Sequence, residues 1–204
     1  MEYVCLDLEG VLIPEIWGEV AKYTGEDKFN LTTQDLKDYS ELMDMRMELV
    51  NSLGISMKDI TSLVNNMEPF AGAREFLDWA RDNFQVTIVS DSFYELAWPL
   101  IRKLGTPNMV CHHLDIQDGQ LKGYNLRQGE NKKKVIQALQ ELKFKVFASG
   151  DSYNDIQMLQ EADFGVFFQA PSHIREEFSE IPGVESHEEL KEVLIKQSSF
   201  VQIK

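Results

Sequence analysis

Four short stretches of the chain hold residue types able to move a phosphoryl group. Asp7-Leu8-Glu9-Gly10 places two carboxylates two positions apart after an apolar run. The apolar run TIVS ends in Ser90, with Asp91 and Ser92 following, and VFAS runs into Gly150-Asp151-Ser152-Tyr153-Asn154-Asp155. Lys132 opens an amphipathic stretch whose apolar positions are Val135, Ile136 and Leu139. A carboxylate can attack phosphorus and form an aspartyl-phosphate. Two anions approach each other only when a cation neutralises them, and Mg2+ held by carboxylates suits that task. Asp7 and Asp151 are the natural ligand pair. The Ser90 hydroxyl and the Lys132 ammonium can hold the remaining phosphoryl oxygens as charge builds. Glu9 is then placed to protonate the leaving oxygen and later to activate the acceptor.

Each stretch also has a plainer reading. A DxE at a strand end is often a solvated loop, and GDSYND could be an N-cap and turn. The lysine run 132–134 resembles a solvated helix face. Lys132 is preferred over Lys133 because Val135, Ile136 and Leu139 follow it by three, four and seven positions, which is the core-facing side; Lys133 stays the alternative. His112 and His113 alternate along a strand and read as structural, as does the Tyr94–Trp98 pair at helical spacing.

The elements that must position these residues follow from hydrophobic period. Tyr3 to Leu8 reads as a buried strand. From about Glu15 to Asn66 only helical periodicity appears. After Pro69 helices and strands alternate: helix 73–83, strand 85–90, helix 94–104, strand 109–116, helix 132–142, strand 145–149, helix 154–161, strand 164–168 and helix 187–196. An Asp-Gly turn in QDGQLKG predicts a hairpin. Alternation implies an α/β, Rossmann-like doubly wound parallel sheet covered on both faces. A small helical cap, 14–69, is expected as an insertion after the first strand, with 1–13 and 70–204 forming the core. Ligands in such sheets bind at the carboxyl ends of the strands, where three of the stretches stand, with Lys132 at a helix start.

The 204 residues carry a formal net charge of −14, with 43% hydrophobic and 26% charged residues. That balance argues against a nucleic-acid or anionic-membrane partner. The start MEYVCLDLEG is too acidic, and its apolar run too short, for a signal peptide. Cys5 and Cys111 lie in apolar stretches and are expected as buried reduced thiols. The expected location is cytoplasmic. The oligomeric state is not fixed by the sequence, with a homodimer as the state allowed for.

The ordered set DxE, strand-ending Ser, Lys and GDxxxD resembles the haloacid dehalogenase superfamily of phosphotransferases. The helical cap and GDSYND are similar to its phosphoserine phosphatase branch. CLDLEGVL, VSDSFYE and ASGDSYND look most like the bifunctional phosphoserine phosphatase / phosphoserine:homoserine phosphotransferase group. The resemblance implies a Mg2+-dependent enzyme of serine or threonine biosynthesis acting on phosphoserine, with homoserine as a second acceptor. It implies Asp7 as nucleophile, Glu9 as acid/base and, through its backbone carbonyl, metal ligand. Ser90, Lys132 and Asn154 would hold phosphate, Asp151 and Asp155 the metal site, and Glu15, Arg46, Ser90 and Asp91 the substrate. Two departures stand out: Glu9 replaces the usual Asp, and Asp91-Ser92 replaces Gly-Gly. Other phosphomonoesters, or a phosphate-binding module without catalysis, are the alternatives. A signalling receiver domain uses similar groups but has no helical insertion after its first strand.

Overall fold

The computed structural model describes residues 1–32, 35–36, 38–127 and 131–201. Strand β1 (Glu2–Leu6) lies at the middle of a seven-stranded sheet of order β4-β3-β2-β1-β5-β6-β7. Its neighbours β2 (Gln85–Phe93) and β5 (Lys145–Gly150) both run parallel to it. Strand β3 (Met109–Gln117) pairs in parallel with β2, and β6 (Phe164–Phe168) and the short β7 (Gly183–Val184) extend the other side. Only β4 (Gln120–Asn125) is antiparallel, folded back on β3 through Asp118-Gly119, both at positive φ as an Asp-Gly hairpin turn requires.

Side chains of β1 alternate between two apolar layers, as the two-residue period of a strand dictates. Val4 and Leu6 join a large cluster with helices α4 (Ala73–Asn83), α5 (Tyr94–Lys103) and α9 (His187–Gln197). Cys5 faces the opposite layer, beneath α6 (Asn131–Glu141) and α7 (Ile156–Glu161), with Ile136 and Phe167. Burial raises the Cys5 thiol to about 12, so it stays protonated. A short helix α8 (Ser172–Glu177) precedes β7; neither was legible in the apolar period.

Among the described residues three α-helices and a 3-10 turn (Asp27–Asn30) stand between β1 and α4: α1 (Ile16–Thr24), α2 (Tyr39–Ser52) and α3 (Met57–Asn66). Helix α3 is started by a reciprocal capping box between Ser56 and Asp59. Met43, Val50, Ile60 and Val64 of these helices belong to the same apolar cluster as Val4 and Leu6. This helical layer is therefore packed on the core, not tethered to it by a bare linker. Residues 33, 34 and 37 of the expected 14–69 insertion lie outside the described residues. No helix among the described residues is long and apolar enough to cross a membrane.

Strand β2 does not end at Ser90 as the sequence period suggested. It runs on to Phe93 with a register irregularity between Val89 and Phe93. The polar residues 90–92 sit in that irregularity, which is why alternation fails there and how an irregular strand end can re-aim side chains. The helix expected from Asn154 opens instead with a 3-10 turn at Tyr153–Asp155 and becomes α-helical at Ile156.

Candidate active site

Asp7 is the first residue past β1, its backbone N–H still donating to the Ser149 carbonyl of β5 at 2.9 Å. Its carboxyl is buried, one oxygen accepting from the Leu8 N–H at 2.7 Å and the other lying 2.9 Å from Lys132 Nζ. Lys132, in the first turn of α6, is 3% exposed and also bonds Asp155 Oδ1 at 2.7 Å, with Asp91 Oδ2 at 3.7 Å. Burial alone would lower the ammonium's pKa, but Asp155, Asp7 and Asp91 together hold it well above its ordinary value. Lys132 is thus a permanent cation at the bottom of the cleft. Lys133 points away and pairs with Glu161 at 3.3 Å.

Asp155 is fully buried with both oxygens engaged: Oδ1 by Lys132, Oδ2 by the backbone N–H groups of Asp151 and Ser152 at 3.0 and 3.2 Å. It fixes the loop that carries Asp151. One oxygen each of Asp7, Asp151 and Asp155 lie within 4.8 Å of one another. Burial first, then Asp155, raises the Asp151 carboxyl to about 7; burial and Asp155 likewise raise Asp7 well above the carboxylate range. Three oxygen donors crowded to this degree, with one ammonium between them, suit a hard divalent cation.

Two glycines permit the crowding. A Cβ on Gly10, at φ +78°, would lie 2.3 Å from the Asp151 carboxyl carbon. One on Gly150 would lie 2.2 Å from the Asp155 carboxyl carbon. Neither carboxyl could approach its present place beside a larger residue.

The remaining wall comes from β2 and the helical layer. The buried Ser90 Oγ accepts from the Ser92 N–H at 3.1 Å, which leaves its own proton free to donate elsewhere. Asp91 turns its carboxylate to Asn154 Nδ2 (3.1 Å), Lys132 and His112 Nε2 (3.7 Å). His112 Nδ1 accepts from the Arg127 N–H at 3.0 Å, so the ring proton sits on Nε2, facing Asp91. Asn154 is exposed and also accepts from Ser152 Oγ.

Glu9 accepts the Ile16 N–H at 2.8 Å and so caps α1, whose own N-cap residue Glu15 makes no side-chain cap. Glu15 presents more than a third of its surface to solvent, yet its carboxyl stands among protein atoms beside Glu9. Burial, then Glu9, push its pKa up to about 9, a direction the open face weakens but does not reverse. Arg46 is buried, donating to the Leu31 carbonyl at 2.9 Å and lying 4.9 Å over the Trp17 ring, while its Nε has no partner among the described residues.

One cleft brings together Asp7, Glu9, Glu15, Arg46, Ser90, Asp91, Lys132 and Asn154. Asp151 and Asp155 adjoin it through the carboxylate cluster. The sequence reading missed Trp17, Tyr39, Ser92 and Tyr153, which also line it. Tyr39 carried a faint signal, standing seven positions before Arg46 and hence on the same helix face.

A family model described as haloacid dehalogenase-like hydrolase matches residues 8–160. The chain is 46% identical over 200 residues to the phosphoserine phosphatase ThrH of Pseudomonas aeruginosa, covering 98% of each. It is 43% identical to a phosphoserine phosphatase of Pseudomonas syringae pv. tomato, covering 98% of this chain and 84% of that one. A solved structure described as the phospho-aspartyl intermediate analogue of phosphoserine phosphatase superposes with a TM-score of 0.78 at 21% identity. That alignment covers 97% of this chain and 99% of the other, and it shows the shared fold.

Proposed function

The chain belongs to the haloacid dehalogenase-like hydrolases, and from that membership we propose that it cleaves O-phosphoserine through an aspartyl-phosphate at Asp7. The observation that carries this reading is the meeting of Asp7 and Lys132 at the cleft floor with Arg46 in the helical wall of the same cleft. An ester small enough to touch both presents its phosphate to the floor and a carboxylate to the guanidinium. The names of the relatives, which include phosphoserine phosphatases, agree.

In this reading Asp7 Oδ attacks phosphorus while Lys132 and the free Ser90 proton hold the equatorial oxygens. Asn154 adds a donor at the rim. Glu9, at the α1 N-terminus, gives its proton to the serine oxygen as the ester breaks, then takes one from the attacking water as the aspartyl-phosphate opens. Glu15 meets the substrate amine and Arg46 its carboxylate. Asp7, Asp151 and the Glu9 carbonyl would hold Mg2+, with Asp155 orienting the loop; the metal supplies neutralisation of charge between nucleophile and phosphate. Acidic residues outnumber basic ones around the cleft, so Lys132 and Arg46 alone do not make it welcoming to a phosphate. Helices α1–α3 act as the cap over a core of residues 1–13 and 70–204.

Transfer to an alcohol such as homoserine is a second reading, favoured by Glu9 being one methylene longer than the usual Asp. Incubation with Mg2+ and O-phospho-L-serine, with and without L-homoserine, tests both while inorganic phosphate and O-phosphohomoserine are followed. Phosphate release establishes the phosphatase, and phosphohomoserine formed at its expense establishes transfer. Neither product from folded protein sinks the phosphoserine assignment.

A further inference from the structure

Helix α2 forms the roof of the cleft, and the structure shows where it is fastened. Tyr39, its first residue, donates its hydroxyl to the Asp91 carbonyl at 2.5 Å, and its ring lies 5.9 Å from the His112 ring. Asp91 sits between Ser90 and Ser92 in the irregular end of β2, with its carboxylate toward Lys132 and Asn154. This hydrogen bond joins the roof to the strand end that faces the phosphoryl site. Arg46 follows Tyr39 by seven positions, two helical turns along the same face, with Leu42 between them and also lining the cleft. A rotation or slide of α2 at Tyr39 must therefore carry Arg46 with it.

The helix is fastened a second time from outside the cleft. The Tyr124 hydroxyl of β4 shares its one proton between Asp44 Oδ1 at 2.9 Å and the Ser40 carbonyl at 3.2 Å. The turn of the same hairpin accepts the Met57 N–H, at the start of α3, on the Gly119 carbonyl at 3.1 Å. The β3–β4 hairpin thus holds α2 and α3, while Tyr39 aligns α2 on β2.

We propose that Tyr39 is a positioning residue that sets Arg46 over the phosphoryl site by docking α2 on the Asp91 main chain, with Tyr124 as its outer anchor. The role rests on the phosphoserine reading above, because it concerns how firmly a substrate carboxylate is gripped. Tyr39 touches neither phosphorus nor metal in this account. Its hydroxyl decides the distance between two recognition elements that the chain places on separate layers.

The test compares kcat/KM for O-phosphoserine with that for O-phosphoethanolamine, which has the amine and the phosphate but no carboxylate. The wild type, Tyr39→Phe and Tyr124→Phe are assayed with Mg2+. Losing one hydrogen bond should lower the phosphoserine preference about fivefold in Tyr39→Phe, through a raised KM for phosphoserine, and about twofold in Tyr124→Phe. A merely structural role would slow both substrates alike, so a preference kept in Tyr39→Phe overturns the proposal whatever the absolute rates. Should Tyr39→Phe not fold, Tyr124→Phe carries the same test, and an unchanged preference there overturns it. A wild type with no preference for phosphoserine sinks the substrate reading itself, a separate failure.

Discussion

The floor and the roof of the cleft are held by different forces. On the floor, the buried Asp7, Lys132 and Asp155 and the half-buried Asp151 form an ionic cluster at the ends of β1 and β5 and the start of α6. Asp7, Lys132 and Asp155 have charged or backbone partners, and glycines 10 and 150 allow the close approach of the carboxylates. On the roof, Arg46 rests on Leu31 and Trp17, its Nε without a partner among the described residues, near apolar residues such as Leu42 and Met43. Displacing one floor charge leaves others buried without compensation, which is severe. Shifting the roof costs packing and a few hydrogen bonds. The floor is thus suited to constant chemistry and the roof to choosing what the chemistry acts on.

The largest effect that would break this contrast is at Asp7. Asp7→Asn keeps the shape and removes the proposed nucleophile, so turnover should fall by at least about a thousandfold on every phosphomonoester. Incubation with phosphoserine labelled in its phosphate should then leave no label on the protein. Retained turnover would mean that the floor is not where phosphorus is attacked.

Arg46→Lys sharpens the contrast from the other side. Lysine keeps a charge but cannot present the planar fork to a carboxylate. KM for phosphoserine should rise about tenfold with kcat changed less, since binding and not attack is altered. Equal losses in kcat and in kcat/KM would move Arg46 from the roof's role to the floor's.

The smallest effect is on stability. Asp151 is raised to about 7 from 3.8, so the folded state binds its proton more tightly than the unfolded chain does. Between those values the folded protein holds more protons, and its metal-free stability should fall as pH rises through the window. A cation bound by the same carboxylates replaces the proton and should flatten that fall. Thermal denaturation from about pH 4 to 8 in EDTA and in Mg2+ measures this, and equal slopes in the two would remove the floor's metal role.

The floor was more legible in the sequence than the roof. Asp7, Asp151 and Lys132 follow short apolar runs or open an amphipathic one, so strand and helix period placed them at one edge of a parallel sheet. Lys132 could be preferred over Lys133 by the same period. Nothing comparable marked Tyr39, Trp17 or Ser92, whose types are ordinary in helices and strand ends. The continuation of β2 past Ser90 was also hidden, because a register irregularity breaks the alternation on which the reading depended. His112 read as structural, but it lies beside Asp91 because β3 pairs with β2, a fact of register rather than of local pattern.

The sequence alone determined the alternation of strands and helices, the helical insertion and the order of the candidate phosphoryl-transfer residues, since these follow from local period and residue chemistry. Tertiary structure decided which groups compete for Lys132, how burial raises Asp7 and Asp151, and how Tyr39 and Tyr124 fasten the roof. Those depend on distances between residues far apart in the chain, and electrostatic and hydrogen-bond energies vary too steeply with distance for composition or spacing to supply them.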